Sequence, residues 1–303
     1  MSDNHNTIEH NHDLNATKLL VSALLNVIIT IAEIIGGLIS NSLALISDAL
    51  HNLGDSIAVF IAYIAHIISK KDYTDKKTFG YKRIEILAAM LNAIILVVIV
   101  IFLIIEAIRR FQNPEPIKGL IMFVVAVIGL LANLFAVILI RKESKKNINI
   151  KAAYLHLFGD TISSVAVILG AVFIYFLGVY WIDPLITILI GIYLLKETYS
   201  VLKSVVDILM QGTPKNLDLK KVKHVIEQLP EVDNIHHIHA WNLNDREIHF
   251  ECHVDLVKDS KVSDTERIRN KICEILLNKF HISHVTVQYE FNSCDNKNMI
   301  HTT

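Results

Sequence analysis

The stretch Ser42–Phe60, SLALISDALHNLGDSIAVF, is apolar enough to cross a membrane as a helix, yet it carries Asp48, His51 and Asp55. A carboxylate at mid-bilayer costs roughly 2.5 to 3.5 kcal/mol on insertion scales, so ionisable groups at that depth mark a function. His51 and Asp55 are four apart, which on a helix places them one turn apart on one face. The spacing returns in Ala152–Gly170, AAYLHLFGDTISSVAVILG, as His156 and Asp160. Two such helices together present two imidazole nitrogens and two carboxylate oxygens, a donor set suited to tetrahedral Zn2+. A single His-x-x-x-Asp pair is more often interhelical hydrogen bonding, for which Ser or Asn serves at less cost; the second copy turns the reading toward metal. Asp48 shares the face of His51 and Asp55. It reads as a further ligand, a helix-packing polar or, our preference, a proton-bearing group hydrogen-bonded to the ligands.

Composition supports a membrane setting. Of 303 residues 52% are hydrophobic, and a mean hydropathy of +0.44 is high for a soluble chain. A net charge of −1, with Lys and Arg not pooled on one face, argues against a nucleic-acid partner. Cys252, Cys273 and Cys294, an odd number without CxxC spacing, do not form a disulfide framework, which points to a cytosolic C-terminal part. The opening MSDNHNTIEHNHDLN lacks the features of a signal peptide, and residues 1–16 are expected to be a disordered tail whose His5, His10 and His12 hint at metal capture.

Charge-poor runs at 17–39, 43–68, 84–108, 118–140, 152–178 and 182–200 make six candidate spans within a membrane domain over 17–210. The last is short before Lys196 and Glu197 and is expected to be tilted or shielded. Lys70, Lys71, Lys76, Lys77, Lys82 and Arg83 follow the second run, and Arg141, Lys142, Lys145, Lys146 and Lys151 the fourth. Those loops are expected to face the cytoplasm, with both termini inside. Asn26, Glu33 and Asn92 are intramembrane polars that line a pathway or tie helices, and Gly36 and Gly37 suit close helix packing.

From 211 the periodicity changes. Leu219, Val222, Val225, Ile226 and Leu229 form a helical stripe; runs at 234–242 and 246–257, joined by Asn244 and Asp245, read as a hairpin. Ser263 and Glu266 suggest a capping box before a second helix, and VTVQYEF reads as a third strand. The order αββαβ describes a small α+β domain over 211–292, followed by a tail over 293–303. Alternation places His237 and His239 with Ile235 on one strand face, and His236 with Ile238 on the other. His249 and His253 share a face of the next strand, and His281, His284 and Glu290 surround the last, a density that suggests a second metal site.

Taken together, SNSLALISDALHNLGD, FGYKRIEILAAMLN, the second HLFGD, IHHIHAW and HVTVQYE resemble the cation diffusion facilitator family, in particular its zinc-exporting members. The resemblance covers nearly the whole chain. It implies a homodimeric six-helix transporter of the cell membrane, with a cytoplasmic ferredoxin-like domain, that exchanges cytoplasmic Zn2+, and by extension Cd2+ or Co2+, for protons. The family's transport positions fall on His51, Asp55, His156 and Asp160. Zinc positions of some members' cytoplasmic domains are similar to His236, His253, His284 and Glu290. The resemblance also brings Arg83 and Asp207 together near the dimer junction. A further site of some members, around Phe79 and Gly80, has Lys77 and Tyr81 where His and Asp would be needed, and is expected to be absent.

Zn2+ requires neutral imidazole and ionised carboxylates, so metal and protons compete for one site, which is the chemistry of an antiporter. An intramembrane metallohydrolase would need a general base, typically in HExxH, and the chain has no HExxH. A membrane metal sensor without transport is the other alternative; metal flux separates it from a carrier. No organic cofactor is implied.

Overall fold

The computed structural model describes residues 24, 26–141, 148–292 and 298–299, the side chains of 140, 148–153 and 156 excepted. The chain forms two compact units, Met1–Ala62 with Leu91–Ser200 and Tyr63–Met90 with Val201–Thr303. Among the described residues, five helices are long and apolar enough to cross a membrane: α2 (Leu43–Ser69), α3 (Ile84–Gln112), α4 (Gly119–Ile140), α5 (Ile148–Leu177) and α6 (Ile182–Leu209). They follow a shorter apolar helix, α1, Asn26–Ser40. The run expected to end near 200 continues as helix to Leu209, with Lys196 and Glu197 exposed on its surface.

Within the most apolar windows of the five long helices, only 11 to 33% of residues are buried inside the protein, so most of this apolar surface faces outward. Where the helices meet, small side chains admit close approach. Ala44, Ala126 and Ala171 are buried in a cluster with Leu45, Val100 and Met122. A Cβ on Gly36 would stand 2.6 Å from Val125 of α4, which requires glycine there. The start of α2 is held from a distant part of the chain. Asp183, fully buried in the first turn of α6, accepts hydrogen bonds from Ser42 Oγ and from the backbone N–H groups of Leu43 (2.8 Å) and Ala44 (3.2 Å). Ser42 Oγ in turn accepts from Leu45 N at 3.1 Å. The first three N–H groups of α2, which lack partners inside the helix, are thereby satisfied.

In the second unit the order is α7 (Leu219–Ile226), β1 (Val232–Asn242), β2 (Ile248–Leu256), α8 (Val262–Phe280) and β3 (His284–Glu290), the expected αββαβ. The sheet order is β1-β2-β3, antiparallel between the first two and parallel between the last two. Val222 and Ile226 of α7 and Ile268, Ile272 and Leu276 of α8 share a core with Ile235, Phe250 and Val254 of the sheet. Asp218 caps α7 by accepting from Lys220 N and Lys221 N, and Asn244 Oδ1 closes the hairpin turn by accepting from Arg246 N and Glu247 N. The capping box expected at Ser263 is not formed. Helix α8 starts at Val262, so Ser263 lies inside its first turn, and Lys261 at the N-cap makes no side-chain cap. Strict alternation along β1 also fails. The pairing shifts register between His236 and His239, and His237 adopts a φ of 50°, so that Ile235 and His236 are both buried.

Candidate metal centres

In the membrane unit, α2 carries His51 and Asp55 and α5 carries Asp160. His51 Nε2 lies 3.6 Å from Asp55 Oδ2 and 3.4 Å from Asp160 Oδ1. His51 and Asp160 are 7% and 3% exposed, whereas the Asp55 side chain is 31% exposed, so Asp55 is the member open to the surroundings. His156 lies one helical turn before Asp160 on α5, and its side chain is outside the described residues. Asp48, 2% exposed, accepts from Ser163 Oγ and, at 3.4 Å, from Ser164 Oγ. It therefore ties α2 to α5 one turn beyond Asp160. Asn133 of α4 joins this network through Ser164 Oγ at 3.5 Å.

Several neighbours of this centre were not singled out in the sequence. Ser163 and Ser164 look like ordinary helix residues there, and their significance depends on which helix faces Asp48. Tyr193 of α6 brings its hydroxyl within 3.7 Å of where a Cβ on Gly159 would stand, and it shares the electrostatic field of Asp55 and Asp160. Away from this centre, Asp183 carries no local signal within the run 182–200; a buried carboxylate beside a helix start is a recognisable cap once the two are known to meet.

The second centre lies in the α+β domain. His236 and His253 are cross-strand partners, and Glu290 comes from β3. Glu290 Oε2 is 3.3 Å from His236 Nε2 and Glu290 Oε1 is 2.7 Å from His253 Nδ1; one donor atom from each of the three residues falls within 4.8 Å of the others. Neither ring nitrogen of the buried His236 has a hydrogen-bond partner, so this donor set fits a metal ion. The bulge in β1 turns His237 toward His253, with the rings stacked at 4.5 Å.

His284 does not join this group within the protomer. It pairs with His249, ring centroids 4.2 Å apart, at the opposite end of β3 from Glu290. His284 and Glu290 are six positions apart along β3, about 20 Å at ~3.3 Å per residue, which is too far to share an ion. Burial, and then the nearby His284, push His249 below the ordinary histidine range. Trp241 stacks on His249, and Phe79 meets it edge-on at 5.4 Å.

Arg83 and Asp207 also do not pair within the protomer. Asp207 lies 3.9 Å from Lys215 Nζ. In the connector, Lys82 donates to both oxygens of Glu247 at 2.7 and 2.6 Å. Nearby, Lys77 Nζ lies over the ring of Tyr81 at 4.0 Å.

Residues 19–210 match the family profile described as the cation efflux transmembrane domain, and residues 214–292 that of the cation efflux protein cytoplasmic domain. The chain belongs to the cation efflux family. It is 40% identical to the cadmium, cobalt and zinc/H(+)-K(+) antiporter of Bacillus subtilis (strain 168), over 96% of this chain and 94% of that protein. It is 39% identical to the metal cation efflux system protein CzcD of Cupriavidus metallidurans, covering 94% and 91%, and 36% identical to the zinc transporter ZitB of Escherichia coli (strain K12), covering 97% and 93%. A solved metal-bound C-terminal domain of the CzcD transporter aligns at 31% identity with a TM-score of 0.22, over 24% of this chain and 99% of that one. Members of this family are multi-pass membrane transporters rather than enzymes, so the metallohydrolase alternative falls away.

Proposed function

We propose that this protein exports Zn2+ from the cytoplasm in exchange for protons, using His51, Asp55, His156 and Asp160 as ligands. The observation that carries this reading is the spacing around His51. Ligand atoms of a tetrahedral site with bonds of about 2.0–2.1 Å lie roughly 3.3–3.4 Å apart, and His51 Nε2 lies 3.4 and 3.6 Å from the two carboxylates. Two carboxylates offset the charge of the dication in a low-dielectric setting. Zinc binds once protons have left His51, His156 and the carboxylates, and protons arriving from the far side expel it. The similarity to a cadmium, cobalt and zinc antiporter favours Cd2+ and Co2+ as further substrates.

The organisation that goes with this reading is a membrane domain over 17–210 and a cytoplasmic domain over 211–292, in a homodimer of the plasma membrane with both termini inside. His236, His253 and Glu290 would hold a zinc ion in the cytoplasmic domain, whose binding favours the inward-open state by linkage. Flux into proteoliposomes under an imposed pH gradient tests the proposal. Asp55→Ala and Asp160→Ala, folded and inserted, are expected to reduce zinc uptake to background. Near wild-type uptake in either would overturn the four-ligand site, and absence of gradient-driven uptake in the wild type would favour a sensor.

A further inference from the structure

Glu33 of α1 is 1% exposed inside the membrane unit. Its Oε2 accepts from Asn52 Nδ2 at 3.1 Å, and Asn52, also 1% exposed, is the residue after His51. Its Oε1 has no hydrogen-bond partner and lies 2.4 Å from where a Cβ on Gly129 of α4 would stand. The carboxyl group is therefore wedged between α2, which it holds by a hydrogen bond, and α4, which it meets where there is no side chain. A methyl group at Gly129 would have to displace the Glu33 oxygen from this position.

The consequence for metal binding follows from helix geometry. Asn52 is about 100° around α2 from His51 on the same turn, so a bond that fixes Asn52 fixes the rotation of the helix and the direction of the imidazole. At a side-chain radius of about 5–6 Å, a rotation of about 10° moves a donor atom by roughly 1 Å. Metal–ligand distances tolerate about 0.2 Å, so a small loss of rotational control takes His51 out of range of an ion held by the carboxylates.

We propose that Glu33 is a positioning residue for zinc binding, setting the rotation of α2 through Asn52 while braced against Gly129. This rests on the transport site proposed above and adds a residue from a helix that contributes no ligand. The test is zinc flux as a function of zinc concentration in proteoliposomes of the full chain. Glu33→Ala raises KM about tenfold or more, the scale seen when groups supporting metal ligands are lost, with a smaller change in the maximum rate. Glu33→Gln keeps an oxygen for Asn52 and stays within about threefold of wild type. Asn52→Ala reproduces the Glu33→Ala effect, and the double variant is no worse than either single one, because the two act as a unit. Gly129→Ala raises KM in the wild-type background and has no further effect when Glu33 is alanine, since the group it displaces is gone.

Should Glu33→Ala not fold, Asn52→Ala and Gly129→Ala carry the same expectation. A KM within twofold of wild type in folded Glu33→Ala or Asn52→Ala overturns the proposal, as does Glu33→Gln impaired as deeply as Glu33→Ala. Asp55→Ala is the control that separates the two levels. Wild-type flux that persists in Asp55→Ala overturns the transport site itself, whatever the Glu33 variants do.

Discussion

Replacing Asp183 with alanine removes one carboxylate and leaves three donors at the start of α2 without their acceptor: Ser42 Oγ, Leu43 N and Ala44 N. The site is fully buried, so water does not replace the lost oxygen at no cost. A buried donor left unsatisfied costs about 1–3 kcal/mol, and loss of a helix cap about 0.5–2 kcal/mol. The three donors share one acceptor and relax together, so their costs are not additive, and we expect about 3–5 kcal/mol of destabilisation. Asp183→Asn retains one oxygen and is expected to lose about half as much. Unfolding in mixed SDS and dodecylmaltoside micelles can be followed at Trp181, two residues before Asp183 and edge-on to Phe111 at 6.1 Å, in a Trp241→Phe background. The reasoning is refuted if Asp183→Ala unfolds within about 0.5 kcal/mol of wild type, the range typical of surface substitutions.

Three further expectations follow from the two metal centres and their surroundings. His51→Asp retains zinc transport but raises the Cd2+ to Zn2+ rate ratio, because a third carboxylate makes the site harder and less strictly tetrahedral; initial rates for both metals in the same vesicles check this. Glu290→Ala weakens zinc binding at the cytoplasmic domain by about tenfold or more, whereas His284→Ala leaves it within about twofold, measured by competition with a chelating dye in an Asp55→Ala background. The third concerns pH. His249 titrates below its unfolded value of 6.5, so the unfolded chain binds more protons in the window beneath 6.5 and stability falls as the pH drops through it. His249→Phe is expected to flatten that dependence, read as the unfolding midpoint of the full chain between pH 7.5 and 5.5.

The hydropathy runs already announce the long helices, because covering a bilayer takes about 20 apolar residues and that demand is written into contiguous sequence. The four-residue spacing of His51 and Asp55, and of His156 and Asp160, is equally local. On any helix it puts the two groups on one face, and the only long-range step needed was that the two faces meet. Asp160 and His51 do meet at 3.4 Å. The αββαβ order was legible for the same reason, since helix and strand periods are properties of short windows.

What the sequence left undecided depends on register, helix rotation and chain crossing. Alternation along β1 assigned faces to His236, His237 and His239, but a bulge that shifts the pairing by a residue reverses the faces beyond it, and a bulge is set by the partner strand. The same strand pairing sends His284 to His249 and Glu290 to His253, a separation that only the parallel register of β2 and β3 determines. Lys82 and Arg83 are adjacent cations, and the turn preceding α3 selects Lys82 for Glu247. Asp183 caps a helix that starts 140 residues earlier, at Leu43, and Glu33 meets Asn52 and Gly129 on two other helices. The identities of these residues were in the sequence from the start; that they touch was decided by the packing of helices whose apolar surfaces alone would permit several arrangements, and the buried polar contacts are what distinguish the one adopted.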